Sequence, residues 1–207
     1  MKRYRTIVAD PPWPMPASGK RSDSGRRGPY VAPSGRKVNA DWWERFTRSS
    51  EVPYDTMSLE EITALPVLDL AEDDAHLYLW TTNRFLWDAR KVAEAWGFSV
   101  STVLTWCKPP IGMGFGGAFA LTTEFVLFCR RGSLRPLERH DSTWLQWSRP
   151  YENGYIAHSQ KPDAFLDLVE RVSPGPYLEM FARRARFGWD YWGDESLGTA
   201  EMPERVA

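Results

Sequence analysis

The sequence predicts an α/β protein built on one open sheet, and three observations carry that prediction. Short apolar, β-branched or aromatic runs recur along the chain, at residues 6–9, 75–82, 98–106, 125–129 and 177–183. Helical patterns stand between them, at residues 59–71 and 84–96 and around the apolar positions Phe165 to Val172. Charged and hydroxyl residues gather where these runs end, and the carboxyl ends of strands are where ligands sit in an open α/β sheet.

The first run sets the pattern for the rest. It stops at Asp10-Pro11-Pro12-Trp13. Neither proline donates to a ladder, so the strand ends there and the Asp10 carboxylate projects from the sheet edge. A fixed acid, a rigid turn, backbone carbonyls without local partners and a flat indole suit the holding of a planar base that bears an exocyclic amine. Such an amine is a poor nucleophile because its lone pair is delocalised into the ring. Hydrogen bonds from both amine hydrogens to Asp10 and the Pro11 carbonyl turn that pair toward an electrophile, and Trp13 offers a stacking face. A strand-end turn with a core tryptophan is the competing reading.

Composition narrows the class. The 207 residues suffice for one domain over 1–207 with a sizeable core. A net charge of −1 means that any basic footprint is local. Cys107 and Cys129 lack metal or redox spacing and read as buried free thiols of a reducing compartment. No charged-then-apolar leader opens the chain and no apolar run reaches the ~18 residues of a membrane span, so a cytoplasmic protein with no membrane and no metal is expected.

Residues 14–53 lose apolar periodicity and become rich in Gly, Ser, Pro and basic residues, with Lys20, Arg21, Arg26 and Arg27 closely placed. The segment reads as a mobile loop leaving the Asp10 turn, suited to clamping phosphates or serving as a solvated insertion. Ser58 and Glu61 then have capping-box spacing before residues 59–71, which Pro66 interrupts. His76, at the start of the next strand, reads as structural rather than catalytic. Gly97 closes the following helix. Residues 108–117 form a second Gly/Pro loop. Thr122, Thr123 and Glu124 precede the strand at 125–129. From 130 to 157 arginines alternate with Trp144, Trp147 and Tyr151, a pattern that fits phosphate contact with base stacking as well as an ordinary surface loop.

The last third carries a second constellation. Lys161 stands at the start of an amphipathic helix with Phe165, Leu168, Val169 and Val172 as its apolar positions, placed to hold a carboxylate with help from the helix dipole. Glu179, near the end of the next strand, suits ribose hydroxyls. Asp194 and Glu195 follow a closing strand at 187–192 and offer two more such acids. There is no glycine-rich phosphate loop, so the implied ligand is a nucleoside carrying an amino acid.

These motifs together resemble the MT-A70 family of S-adenosylmethionine-dependent adenine N6-methyltransferases, most of all its prokaryotic and phage members. The resemblance is carried by Ala9-Asp10-Pro11-Pro12-Trp13, Tyr54-Asp55-Thr56-Met57-Ser58-Leu59-Glu60-Glu61-Ile62 and Leu77-Tyr78-Leu79-Trp80. His158-Ser159-Gln160-Lys161-Pro162, Leu178-Glu179-Met180-Phe181-Ala182-Arg183-Arg184 and Gly188-Trp189-Asp190-Tyr191-Trp192-Gly193 complete it. It implies a Rossmann-like methyltransferase fold, a mostly parallel central sheet with helices on both faces, and a catalytic motif preceding the cofactor strand. It further implies Asp10, Pro11, Pro12 and Trp13 as the catalytic set, with Asp10 also meeting the amino group of the methionine moiety. Lys161 would meet the carboxylate, Arg183, Asp194 and Glu195 would lie near the ribose, and Tyr54 would line the substrate pocket. Asp194 departs from the family, where Asn is common. Only nine residues precede Asp10, leaving little room for the family's upstream segment. The implied partner is nucleic acid, DNA before RNA, with a homodimer or heterodimer allowed. A methyltransferase acting on RNA or on cytosine N4, and a noncatalytic nucleic-acid-binding partner subunit, are the alternatives.

Overall fold

A computed structural model of the chain describes residues 2–14, 30–31, 37–38, 56–108, 119, 121–152, 155–156, 160–193 and 200. It divides into two compact units, residues 1–11 with 58–207, and residues 12–57. The chain opens with β1 (Tyr4–Ala9), which ends where Asp10 and the prolines forbid further pairing. In the second unit, β2 (Tyr30–Val31) and β3 (Lys37–Val38) form an antiparallel ribbon, and the Met57 N–H donates to the Pro12 carbonyl at 2.9 Å.

The first unit resumes with α1 (Leu59–Thr63), whose Ser58 and Glu61 exchange both bonds of the capping box, and α2 (Val67–Leu70), which starts after Pro66. The break expected at Pro66 is present and leaves two short helices within residues 59–71, while Ala71 belongs to the next strand. That strand, β4 (Ala71–Thr81), starts four residues earlier than expected. Glu72, Asp73 and Asp74 hid its beginning because consecutive acids read as a turn. They are tolerated at this end because Asp73 and Asp74 are exposed, with Asp73 facing Arg131 and Asp74 accepting from the backbone and hydroxyl of Ser133.

A 3-10 turn (Asn83–Phe85) leads into α3 (Leu86–Ala95), closed by Gly97 at φ +82°. Then come β5 (Ser99–Cys107), β6 (Thr123–Arg131) and β7 (Trp144–Leu145). The short pair β8 (Tyr151–Glu152) and β9 (Tyr155–Ile156) follows. α4 (Asp163–Val172), β10 (Tyr177–Met180) and β11 (Trp189–Trp192) complete the unit. β10 is shorter than expected because Phe181 turns into the left-handed region at φ 63°.

Seven strands form one sheet in the order β11-β10-β1-β4-β6-β5-β7. The first four run parallel, β6 runs antiparallel to both β4 and β5, and β7 is parallel to β5. The sheet is thus mostly parallel, as expected. Its topology brings the carboxyl ends of β1, β4, β5, β10 and β11, together with the amino end of β6, to one edge.

Alternation along the strands gives the sheet two apolar faces. On one, Val8, Tyr78, Trp80, Trp106 and Val126 pack with Phe165, Leu166 and Val169 of α4 and with Trp189. The other face carries Ile7, Leu77, Leu79 and Leu127, all buried, and α3 packs against β4, β5 and β6 through an element whose Ala89, Val92 and Ala93 are buried. In α4 the buried set is Phe165, Leu166, Leu168 and Val169; Val172 is only partly covered.

His76 is fully buried and structural, as its sequence position suggested. Its Nδ1 lies 2.8 Å from Ser173 Oγ and its Nε2 3.1 Å from the Leu134 carbonyl. Because that carbonyl only accepts, Nε2 carries the proton and Nδ1 accepts from Ser173. Cys129 is buried, and burial pushes its thiol up to about 12. Cys107 is only partly covered, which corrects the expectation that both thiols are buried. Among the described residues no helix is long and apolar enough to cross a membrane.

Candidate functional site

The sheet edge holds the charged residues that the interior excludes. The register Val8↔Glu179 and Ala9↔Met180 sets Glu179 beside β1 one step before its end, with Asp10 following Ala9 in the turn. Lys161 arrives from the segment just before α4, whose first turn follows Pro162. Its Nζ donates to Asp10 Oδ2 at 2.7 Å and lies 3.4 Å from Glu124 Oε2. The same ammonium stands 5.1 Å from the centre of the Trp80 ring, a cation–π distance. Trp80 is itself fixed edge-on against Phe165 and Trp106.

A cleft opens here in the first unit, lined by Asp10, Lys161, Glu179, Arg183, Gln160 and Arg184 among its polar groups and by Val8, Trp80, Pro162, Phe165, Leu166 and Phe181 among its apolar ones. Four of the sequence-predicted site residues, Asp10, Lys161, Glu179 and Arg183, therefore share one cavity. Phe181 enters it from a backbone conformation that side chains rarely adopt, and its ring rests edge-on against Trp192 at 5.2 Å. Gly193, just past β11, lies so close to the chain that a Cβ there would fall 2.6 Å from the Ala182 carbonyl oxygen. The turn after β10 and the end of β11 are thus held tightly together at the rim.

Electrostatics follow from this packing. Burial raises the Asp10 carboxyl above its usual range, with Lys161 opposing. Burial alone would lower Lys161, but the Asp10 and Glu124 carboxylates outweigh it and hold the ammonium charged. Burial would likewise raise Glu124, yet Lys161 and Lys108 together keep it below the usual carboxylate range. For Glu179 the cation is too weak to offset burial. Burial, and then the charge of Asp10, push it up to about 7, with Arg186 opposing.

Of the other predicted residues, Pro11 is buried next to Asp10. Pro12 and Trp13 open the second unit, and the Pro12 carbonyl accepts from the Met57 N–H, a partner far away in sequence. Tyr54, Lys20, Arg21, Arg26, Arg27, Asp194 and Glu195 lie outside the described residues, as does most of the segment 14–53. Of the basic and aromatic residues in 130–157, Trp147 packs against Phe165 and its carbonyl accepts from the Trp106 indole, so it serves the core, while Trp144 is exposed.

Sequence reasoning missed Glu124 and Lys108. Lys108 Nζ donates to Glu124 Oε1 at 2.6 Å, which joins them to Lys161 and Asp10. An acid ahead of an apolar run reads as a turn residue. Only the antiparallel pairing Trp106↔Glu124 reveals that it starts a strand at the same edge as Asp10.

Comparison with known proteins bears on this site. The MT-A70 family pattern matches residues 38–195. The chain is 31% identical over 198 residues to the type II methyltransferase M.MunI of a Mycoplasma species, covering 94% of this chain and 78% of that protein. It is 31% identical over 148 residues to an N(6)-adenosine-methyltransferase MT-A70-like protein of Drosophila melanogaster, covering 64% of this chain and 22% of that one. It is 28% identical over 209 residues to the N6-methyladenosine RNA methyltransferase MTA1 of Cryphonectria parasitica, covering 94% and 52% respectively. The chain thus spans most of the Mycoplasma protein but a fifth to a half of the other two.

Proposed function

The chain belongs to the MT-A70 family, and we propose that it is an S-adenosylmethionine-dependent methyltransferase acting on the exocyclic N6 of adenine in nucleic acid, with DNA preferred over RNA. The observation that carries this reading is the meeting of Asp10, Lys161, Glu179 and Arg183 in one cleft. That donor set matches a zwitterionic amino acid joined to a nucleoside: a cation for the carboxylate, an acid for the ammonium, and an acid for hydroxyls. Lys161 would hold the carboxylate, Asp10 would face the amino group, and Glu179 and Arg183 would hold the ribose end. Asp194 and Glu195 are assigned to that end too.

When bound, the cofactor supplies an electrophilic methyl group on a sulfonium centre. The chain's own residues supply orientation. Asp10 and the Pro11 carbonyl would accept hydrogen bonds from the two amine hydrogens, turning the nitrogen lone pair out of conjugation, in a turn whose prolines require no reorganisation. The amine loses one proton in the course of the reaction, and the Asp10 carboxylate, raised above its usual range, is suited to take it. Pro12 completes the rigid turn. Trp13 and Tyr54 are assigned to the base. Direct displacement on a sulfonium calls for no covalent intermediate.

The preference for DNA rests on the prokaryotic character of the motifs, in keeping with the similarity to the Mycoplasma type II methyltransferase over most of both chains. A specific observation supports RNA as the second reading: the fungal relative named an RNA methyltransferase aligns with 94% of this chain. The test offers duplex DNA, single-stranded DNA and RNA separately with methyl-labelled S-adenosylmethionine, followed by digestion and identification of the labelled nucleoside. N6-methyladenine from DNA is the expected product. Label confined to RNA would replace the substrate. Labelled cytosine would replace the reaction, and absence of both transfer and cofactor binding would favour a noncatalytic partner subunit.

A further inference from the structure

Four side chains of alternating charge stand in a row along the site edge: Lys108, Glu124, Lys161 and Asp10. Lys108 Nζ lies 2.6 Å from Glu124 Oε1, Lys161 Nζ 3.4 Å from Glu124 Oε2 and 2.7 Å from Asp10 Oδ2. Each ammonium also sits over an indole, Lys108 5.6 Å from the Trp106 ring centre and Lys161 5.1 Å from that of Trp80. The two indoles meet edge to face at 5.9 Å. The row is therefore seated on a fixed aromatic floor.

We propose that Glu124 and Lys108 are positioning residues that make the Lys161 ammonium shared between two acids, so that its charge is not spent on the Asp10 carboxylate alone and Asp10 keeps acceptor strength for the substrate amine. The inference rests on the methyltransferase reading given above. A lysine and an aspartate paired alone in a cleft close on one another, and the carboxylate's acceptor sites are then spent on the ammonium. With Glu124 on its other side, Lys161 divides its attraction between two acids. Glu124 can exert that pull from a fixed position because Lys108 holds its second oxygen, and all four side chains are at least 72% covered, so water screens the row weakly. A purely structural ion pair between β5 and β6 would need only Lys108 and Glu124; the reach to Lys161 is additional.

The groups facing Asp10 are Lys161 from the segment before α4, Glu124 from β6, and Arg183 from the turn after β10. Glu179 on β10 senses Asp10 in turn, and Arg186 senses Glu179. Substitution in the row leaves Arg183, Glu179 and Arg186 in place. In Glu124→Gln a negative neighbour is lost and the Lys161 charge is left to Asp10 alone, so the Asp10 carboxyl titrates lower, by about one pH unit. In Lys108→Met, Glu124 is released to draw Lys161 away, and Asp10 titrates higher, by about half a unit. Two substitutions in one ion pair thus act in opposite directions.

The experiment follows the Asp10 carboxyl by carbon-13 NMR in the ligand-free protein, assigned with Asp10→Asn, and the acid limb of transfer against pH in the same variants. Opposite shifts in Glu124→Gln and Lys108→Met, a kcat loss of roughly tenfold or more in Glu124→Gln without a rise in cofactor KM, and a wild-type-like titration in Glu124→Asp are the expected results. Shifts in the same direction, or an Asp10 titration unchanged in both, overturn the proposal. Should Glu124→Gln not fold, the rise expected in Lys108→Met decides alone. Absence of transfer by the wild-type chain overturns the methyltransferase reading instead, and the ligand-free titration separates that failure from a failure of the row.

Discussion

In the proposed reaction Asp10 bears the greatest chemical demand, and it contributes little to the fold. Its turn is set by Pro11 and Pro12, β1 is already complete at Ala9, and removing the carboxylate leaves Lys161 with Glu124 at 3.4 Å. Asp10→Ala is therefore expected to reduce methyl transfer by at least about 10²-fold while the thermal midpoint stays within a few degrees of wild type, as measured by circular dichroism. Near-normal transfer in that variant would disprove the amine-orienting role. Glu179 behaves differently because burial and the charge of Asp10 bring it up to about 7 in the folded chain, against the ordinary carboxylate range when unfolded. Between those values the folded state binds the extra proton, so stability falls as pH rises through 7. Glu179→Gln should lack that slope. Urea denaturation at pH 5 and pH 8 should show wild type losing stability relative to the variant, on the order of 2–3 kcal/mol. Equal slopes would mean that Glu179 ionises freely.

Elements decide which of these residues meet, and here the sequence was legible unevenly. β1, α4 and β10 could be read from their apolar periodicity, and with them Asp10, Lys161 and Glu179. β6 was legible as a strand at residues 125–129, but its start at Thr123 and its antiparallel direction were not, because polar residues at a strand end carry no period. Glu124 was lost with them. The beginning of β4 was hidden likewise by Glu72, Asp73 and Asp74; Asp73 and Asp74 meet Arg131 and Ser133, more than fifty residues away in sequence. Long-range polar pairing leaves no local pattern. A further case lies where α4 hands over to β10. Ser173 Oγ sits 2.8 Å from His76 Nδ1 and 2.7 Å from Tyr78 Oη, and its carbonyl accepts from Tyr177. Ser173→Ala would leave two buried β4 groups without their partner. A loss of about 1–3 kcal/mol in unfolding free energy is expected, and a value within error of zero would mean that water or a shifted neighbour replaces the hydroxyl.

At the scale of the whole molecule, charge is the remaining question. A chain of net charge −1 has no general attraction for a polyanion, so nucleic-acid affinity must come from local cations. The cleft and its surroundings supply few, because Lys161 and Lys108 are committed to acids, Arg184 to Asp163 and Arg186 to Asp167 and Glu170, while Arg183 is assigned to the cofactor. The densest basic stretch is Lys20, Arg21, Arg26 and Arg27, four cations within eight positions of the segment that leaves the Asp10 turn. If these meet phosphates, each contact releases condensed counterions, and the logarithm of the binding constant falls against the logarithm of salt by about 0.9 per phosphate on duplex DNA. Replacing all four with serine should weaken duplex binding at low salt and flatten that slope by up to about 3–4, measured by fluorescence anisotropy across a salt series. Weaker binding with an unchanged slope would assign the segment a shape-dependent role. An unchanged affinity and slope would leave it a spacer and move the search for phosphate contacts to the exposed Arg135 and Arg139 beyond β6.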